Sequence, residues 1–200
     1  MSERFGSGPL GERYDAAILF ASEAHRRQTR KNGDVPYLSH LLRVSGLVLD
    51  YGGSETVAIA ALLHDVVEDC GGLEALERIR GEFGAEVAEI VLETSDSTTA
   101  DSGNKAPWRE RKEAYIARLS SCSEGALLTS ACDKLDNVTS LLRSLRTSGN
   151  MDILAKFKAG RDAQFWYYES ILAVLEHRNS LVADELRIAV ERLKAAWPKR

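Results

Sequence analysis

Between Tyr14 and Ala196, apolar residues recur at intervals of three and four, and no segment alternates apolar with polar residues between turn signals. That spacing belongs to helices with one buried face and leaves nothing for a sheet, so the fold class is all-α. Tyr14 to about Arg30 carries Ala16, Ala17, Leu19, Phe20 and Ala24 on one face. Pro36 opens a second helix, Tyr37 to about Tyr51, with Leu38, Leu41, Leu42, Val44 and Val48 inward. Ser54 is an N-cap for a third, Glu55 to Asp69, which Gly71-Gly72 stops. Shorter helices are expected around Leu73–Phe83 and Ala85–Leu92. The run 94–106 is rich in Ser, Thr, Asp and Gly and reads as a loop. Pro107 then opens a helix to Leu119, and Ser123 caps one from Gly125 to Leu145. Two more, 151–177 with Gly160 as a breaker and 182–196, end the chain.

The 200 residues suit a single domain spanning 1–200, its motif-bearing part at about 14–145 and the C-terminal helices 151–196 packing on it. With 26 basic against 30 acidic side chains the net charge is −4, which argues against a general nucleic-acid binder. The longest apolar run, Val57 to Leu63, is too short to span a bilayer, and no secretory h-region opens the chain. Three scattered cysteines without a CxxC pair fit reduced thiols, so a cytoplasmic location is expected.

One string concentrates chemistry: Ala60-Ala61-Leu62-Leu63-His64-Asp65-Val66-Val67-Glu68-Asp69. In a continuous helix, residues four apart share a face, which pairs Glu68 with His64 and Asp69 with Asp65. Three carboxylates beside an imidazole need a cation or protons to offset them, and a divalent metal is the simplest offset. A solvated acidic helix end is the bland alternative. Asp133, among Ala131, Cys132, Leu135 and Val138, is a carboxylate near an apolar face and needs a partner. His40, between Leu38 and Leu41, is in the same position. Together they make an ordered H…HD…D set.

That set resembles the HD superfamily of metal-dependent phosphohydrolases, and within it the RelA/SpoT-type guanosine polyphosphate hydrolase domain. The string from His25 to His40 resembles that family's H-x-G-Q-x-R-K-x-G-x-P-Y-x-x-H-P opening. Leu62 to Asp69 matches its LLHDxxED, and Cys132-Asp133-Lys134-Leu135-Asp136-Asn137 resembles its ADRLHN. The departures are one extra residue between Gly33 and Pro36, Arg27 for glycine, Leu41 for proline, Cys70 for threonine and Asp136 for histidine. None removes a ligand position, and Asp136 would add negative charge beside the substrate region.

The resemblance implies a helical HD-domain bundle that hydrolyses the 3′-pyrophosphate of ppGpp or pppGpp. It implies His40, His64, Asp65 and Asp133 as ligands of a divalent metal, for which the ligand type suits Mn²⁺ and leaves Zn²⁺ or Fe²⁺ open, and Glu68 and Asp69 as the pair that orients or deprotonates water. Arg30 and Lys31 match nucleotide contacts, and Asn137 and Ser140 resemble ribose and phosphate contacts. Lys105, Arg109 and Arg161 are further candidates for holding a polyanion. The implied partner is a small-molecule nucleotide, with neither nucleic acid nor membrane. Two other readings stay open: an HD phosphohydrolase acting on another nucleotide or phosphorylated metabolite, and a nucleotide sensor without catalysis.

Overall fold

The computed structural model describes residues 9–31, 34–97, 106–148 and 152–197. Among them there is no strand, only one antiparallel bridge between Thr29 and Pro36. The helices are α1 (Glu12–Ala24), α2 (Leu38–Asp50), α3 (Glu55–Leu63), α4 (Gly72–Phe83), α5 (Ala85–Thr94), α6 (Trp108–Leu119), α7 (Glu124–Ser148), α8 (Asp152–Ala155), α9 (Gly160–His177) and α10 (Ala183–Ala196). A single π turn, Val67–Gly71, joins α3 to α4.

The sequence of α3 explains its place. Ala58 to Leu63 are all fully buried, so this helix has no solvent face after its first turn. It packs against α1, α2, α5 and α7, which enclose it. Ser54 caps its start, accepting from the Val57 amide at 3.4 Å. Gly53 just before it is sterically required, because a Cβ there would meet the Val48 side chain at 2.5 Å. α10 lies against α7, and α9 lies against both α6 and α10, so the C-terminal helices close over the motif-bearing ones.

Two helix ends differ from the sequence expectation. α1 stops at Ala24 rather than Arg30, because His25 accepts a turn bond from the Gln28 amide and the chain then pairs with itself. The Arg30 amide donates to the Val35 carbonyl at 2.9 Å, and the Tyr37 amide to the Gln28 carbonyl at 2.9 Å. The third helix does not run unbroken to Asp69. It leaves α geometry at His64–Asp65 and widens into the π turn, until Gly72, with φ +59°, turns the chain into α4. Of the expected loop 94–106, residues 98–105, including Lys105, lie outside the described residues.

Candidate active site

The break after Leu63 is where the site forms. His64 is buried and turns its Nδ1 onto the Ala61 carbonyl at 2.8 Å. That bond needs a proton on Nδ1, so it is Nε2 that the neutral imidazole offers to a cation. Nε2 lies 3.1 Å from Asp65 Oδ2 and 3.7 Å from Asp133 Oδ1. From α2, His40 brings its own Nε2 to 3.2 Å from Asp133 Oδ1 and 3.6 Å from Asp65 Oδ2. Both Nε2 atoms are buried without a hydrogen-bond partner. His40, His64 and Asp65 offer ligand atoms all within 4.8 Å of one another, and Asp133 adjoins that group through its contacts with the two imidazoles.

The electrostatics fit a cation at this point. Burial by itself lowers both histidines, but the facing carboxylates outweigh it, raising His40 to about 9 and His64 well above its usual value. Burial likewise raises the two aspartates, yet His64 holds Asp65, and Lys134 with the imidazoles holds Asp133, well below the carboxylate range. Two orphaned nitrogens facing two ionised carboxylates are a donor set of the kind that binds a divalent metal.

Surrounding groups hold these side chains. The Tyr37 hydroxyl donates to Asp65 Oδ2 at 2.5 Å, and its ring stacks on His25 at 5.1 Å. Asn137 Nδ2 donates to Asp133 Oδ1 at 2.5 Å, and Lys134 pairs with the other oxygen. Asp69 Oδ2 accepts from Gln28 at 2.7 Å, and Gln28 is in turn tied to His25.

A cavity of about 400 Å³ opens over the pair His64–Asp65. Glu68 and Asp69 line it, and so do Arg30, Lys31, Asp133 and Asn137. Thus the π turn, although not the α-helix expected, still delivers both carboxylates to the side of His64 and Asp65. Arg30 Nη2 donates to Asn137 Oδ1 at 2.9 Å.

Three expected contacts lie elsewhere. Arg109 sits over the Trp166 ring at 3.2 Å and pairs with Glu113. Arg161 donates to the Trp197 carbonyl at 2.9 Å. Ser140 is buried in α7 and does not line the cavity. In their place the structure supplies Lys112 and Lys134 as cations, with Trp108, Tyr115, Tyr167 and Tyr168 as an aromatic wall. The Tyr167 hydroxyl is buried without a partner. Lys112 is anchored by Asp96, which also accepts from Arg111 at 2.7 Å, and Arg111 approaches Glu68 to 3.9 Å. An aromatic in a buried run gives no sign in sequence of facing a cavity. Asp136 does not line the cavity. Its carboxylate is turned toward His40 Nδ1 and Arg43, with Arg30 3.7 Å away, so its charge is met by these groups rather than presented to the cavity.

An all-α bundle whose central helix ends in a buried His-Asp pair, met by a histidine from α2 and an aspartate from α7, is the arrangement of an HD domain. The HD domain family model matches residues 17–162, and the chain belongs to that family. Hydrolases of this family depend on a divalent metal. The chain is 37% identical over 137 residues to the guanosine-3′,5′-bis(diphosphate) 3′-pyrophosphohydrolase MESH1 of Xenopus tropicalis, covering 64% of this chain and 72% of that protein. It is 34% identical to the Drosophila melanogaster MESH1, covering 62% of this chain and 66% of that one. Against a probable guanosine-3′,5′-bis(diphosphate) 3′-pyrophosphohydrolase of Synechocystis, identity is 44% over 75 residues, 38% of this chain and a tenth of that much longer protein. Among solved structures, a metazoan ortholog of SpoT, described as hydrolysing ppGpp, superposes with a TM-score of 0.75 at 27% identity, over 94% of this chain and 99% of that one.

Proposed function

We propose that this protein hydrolyses the 3′-pyrophosphate of guanosine polyphosphates, ppGpp and pppGpp, to GDP or GTP and pyrophosphate. The observation that carries this reading is the pair of orphaned nitrogens, His40 Nε2 and His64 Nε2, facing carboxylate oxygens beneath a cavity with cationic walls. The relatives named for this activity support the substrate class.

His40, His64, Asp65 and Asp133 would hold the metal. Two neutral imidazoles and two carboxylates balance a divalent charge, and mixed nitrogen and oxygen donors suit Mn²⁺ as well as Fe²⁺ or Zn²⁺. When bound, the metal acidifies a water and polarises a phosphoryl oxygen. The chain's own groups do the rest. Arg30, Lys31, Lys112 and Lys134 line the cavity and offset phosphate charge. The Tyr167 hydroxyl adds a donor, and Trp108 with Tyr168 offers apolar surface to a purine. Asn137 sits where ribose or phosphate oxygens would be held. Glu68 accepts the proton of the attacking water, while Asp69, fixed by Gln28, orients it. Attack at the phosphorus next to the ribose breaks its bond to O3′; the water's oxygen stays with pyrophosphate, and the O3′ of the departing GDP or GTP takes up the proton that Glu68 received.

Asp136 gives no reason to prefer another substrate, since it faces His40 rather than the cavity. One domain carries the activity, because α9 and α10 pack back on α6 and α7. No helix among the described residues is long and apolar enough to cross a membrane, and the three cysteines are free, which supports a cytoplasmic enzyme.

The test is hydrolysis of ppGpp by metal-stripped protein with Mn²⁺, Zn²⁺ or Fe²⁺ restored, beside His64→Ala and Asp65→Ala. Wild-type protein should release GDP and pyrophosphate, most rapidly with Mn²⁺, and both variants should lose metal and turnover together. Absence of ppGpp hydrolysis with all three metals would sink the proposal.

A further inference from the structure

Asp136 is a buried carboxylate, its side chain 2% exposed, standing on α7 three positions after Asp133. Its Oδ2 accepts from His40 Nδ1 at 2.6 Å, across 96 residues of sequence. Its Oδ1 accepts from Arg43 Nε at 2.5 Å, and Arg43 Nη2 reaches Oδ2 at 3.4 Å. Arg30 Nη2, from the turn before α2, comes within 3.7 Å of the same Oδ2. One carboxylate therefore touches a metal-site imidazole and a cavity-lining arginine at once.

The two imidazoles of the site are oriented by different devices. His64 is held by a carbonyl of its own helix, three residues back. His40 has no such local acceptor and depends on Asp136. A histidine can offer Nε2 to a metal only with its proton on Nδ1, and a carboxylate accepting that proton fixes the tautomer and the ring angle and makes the ligand more basic. Arg43 balances the charge that Asp136 brings into the interior, gripping both oxygens. It is one-third exposed, so it can also release them.

We propose that Asp136 is a positioning residue for both metal and nucleotide. Through His40 Nδ1 it presents Nε2 to the metal, and through Arg30 it holds a cation at the cavity wall. The proposal rests on reading the cavity as a metal-dependent phosphohydrolase site. It makes residue 136 a second link between the two binding events, beside the chain from Arg30 through Asn137 to Asp133.

The experiment compares wild-type protein with Asp136→Leu, which fills similar volume without an acceptor, and Asp136→Asn, which keeps one acceptor for His40 while Arg43 swings out. Isothermal titration of Mn²⁺ into metal-stripped protein gives the metal affinity. Circular dichroism verifies the fold, and ppGpp kinetics at saturating Mn²⁺ give KM. Asp136→Leu should bind Mn²⁺ about 10- to 100-fold more weakly. It should also raise KM for ppGpp, and Asp136→Asn should recover most of the lost metal affinity. If the leucine variant does not fold, Asp136→Ser replaces it with the same expected loss. A folded leucine or serine variant with wild-type Mn²⁺ affinity overturns the proposal, as does equal weakening in the asparagine and leucine variants. Wild-type protein that binds no Mn²⁺ would instead overturn the reading of the cavity itself.

Discussion

Tyr37 donates its hydroxyl to Asp65 Oδ2 at 2.5 Å, and that oxygen is the one lying 3.1 Å from His64 Nε2 and 3.6 Å from His40 Nε2. The tyrosine precedes α2 and the aspartate follows α3, so this bond ties the two elements that bring the histidines together. It fixes which oxygen of Asp65 faces the site.

Tyr37→Phe removes the donor and keeps the ring that stacks on His25. Asp65 is then free to rotate. Metal affinity should fall by about 10-fold, at the lower end for a partner of a ligand. Stability should change by no more than about 1–2 kcal/mol, the range for one hydrogen bond. Titration of Mn²⁺ into the variant, with a thermal melt of the metal-free form, checks both. Unchanged affinity would show that Asp65 is oriented by its other contacts.

Glu68→Gln separates binding from chemistry. Glutamine keeps the shape of the side chain and its ability to accept a hydrogen bond, but it cannot take a proton. Mn²⁺ and ppGpp should bind as in wild type while kcat falls about 10²–10⁴-fold. Single-turnover kinetics on the metal-loaded variant measure this. Undiminished turnover would leave Glu68 as a partner of the Arg111–Asp96 network and nothing more.

The adjacency of His64 and Asp65 after an apolar run made the centre of this site legible, because a histidine and an aspartate sharing the end of a buried helix need a reason to be there. The π turn was not legible. The apolar and acidic spacing from Leu62 to Asp69 continues the helical pattern, and nothing in it marks the widening at Val67–Gly71. Asp136 is visible as a departure, but its hold on His40 and Arg43 is not, since those partners lie over ninety positions away. Arg109 and Arg161 read as free cations in the sequence. The fold gives one to an indole ring and the other to a C-terminal carbonyl. Lys134 shows the converse: a lysine beside Asp133 looks like an ordinary surface charge, yet it is buried against that aspartate with its ammonium over the Tyr115 ring.

Substrate contacts should separate from metal contacts in the kinetics of Arg30→Ala and Lys31→Ala. Both residues line the cavity, and neither offers a lone pair to a cation while charged. Each substitution should raise KM for ppGpp and leave Mn²⁺ affinity within about threefold of wild type, with kcat little changed if the contact is equal in ground and transition states. Arg30→Ala should have the larger effect, since it also removes the bond to Asn137. With p-nitrophenyl phosphate, which has no purine and one phosphate, both effects should shrink. Equal KM increases on the two substrates would mean that these residues act through the metal site.

The link from α6 to the π turn should give stability a specific dependence on pH. Asp96 has a side chain only 3% exposed and is paired with Lys112 and Arg111. Burial alone would raise its carboxyl, but those cations, Lys112 foremost, bring it down to about 2. In the unfolded chain an aspartate titrates near ~3.9. The folded value is the lower one, so between pH 4 and pH 2 the unfolded state holds more protons. The stabilisation is therefore fully present above about pH 4–5 and is lost as pH falls through that window. The shift corresponds to about 2.5 kcal/mol. Urea unfolding of wild type and Asp96→Asn at pH 6 and at pH 2.5 measures it. The gap between the two proteins should be largest at pH 6 and shrink by about 1–2 kcal/mol at the lower pH. Other carboxylates weaken both proteins in acid, but they cancel in the difference. A gap that is the same at both pH values would mean that Asp96 titrates alike in the folded and unfolded chains, and that Lys112 and Arg111 do not hold it as the geometry indicates.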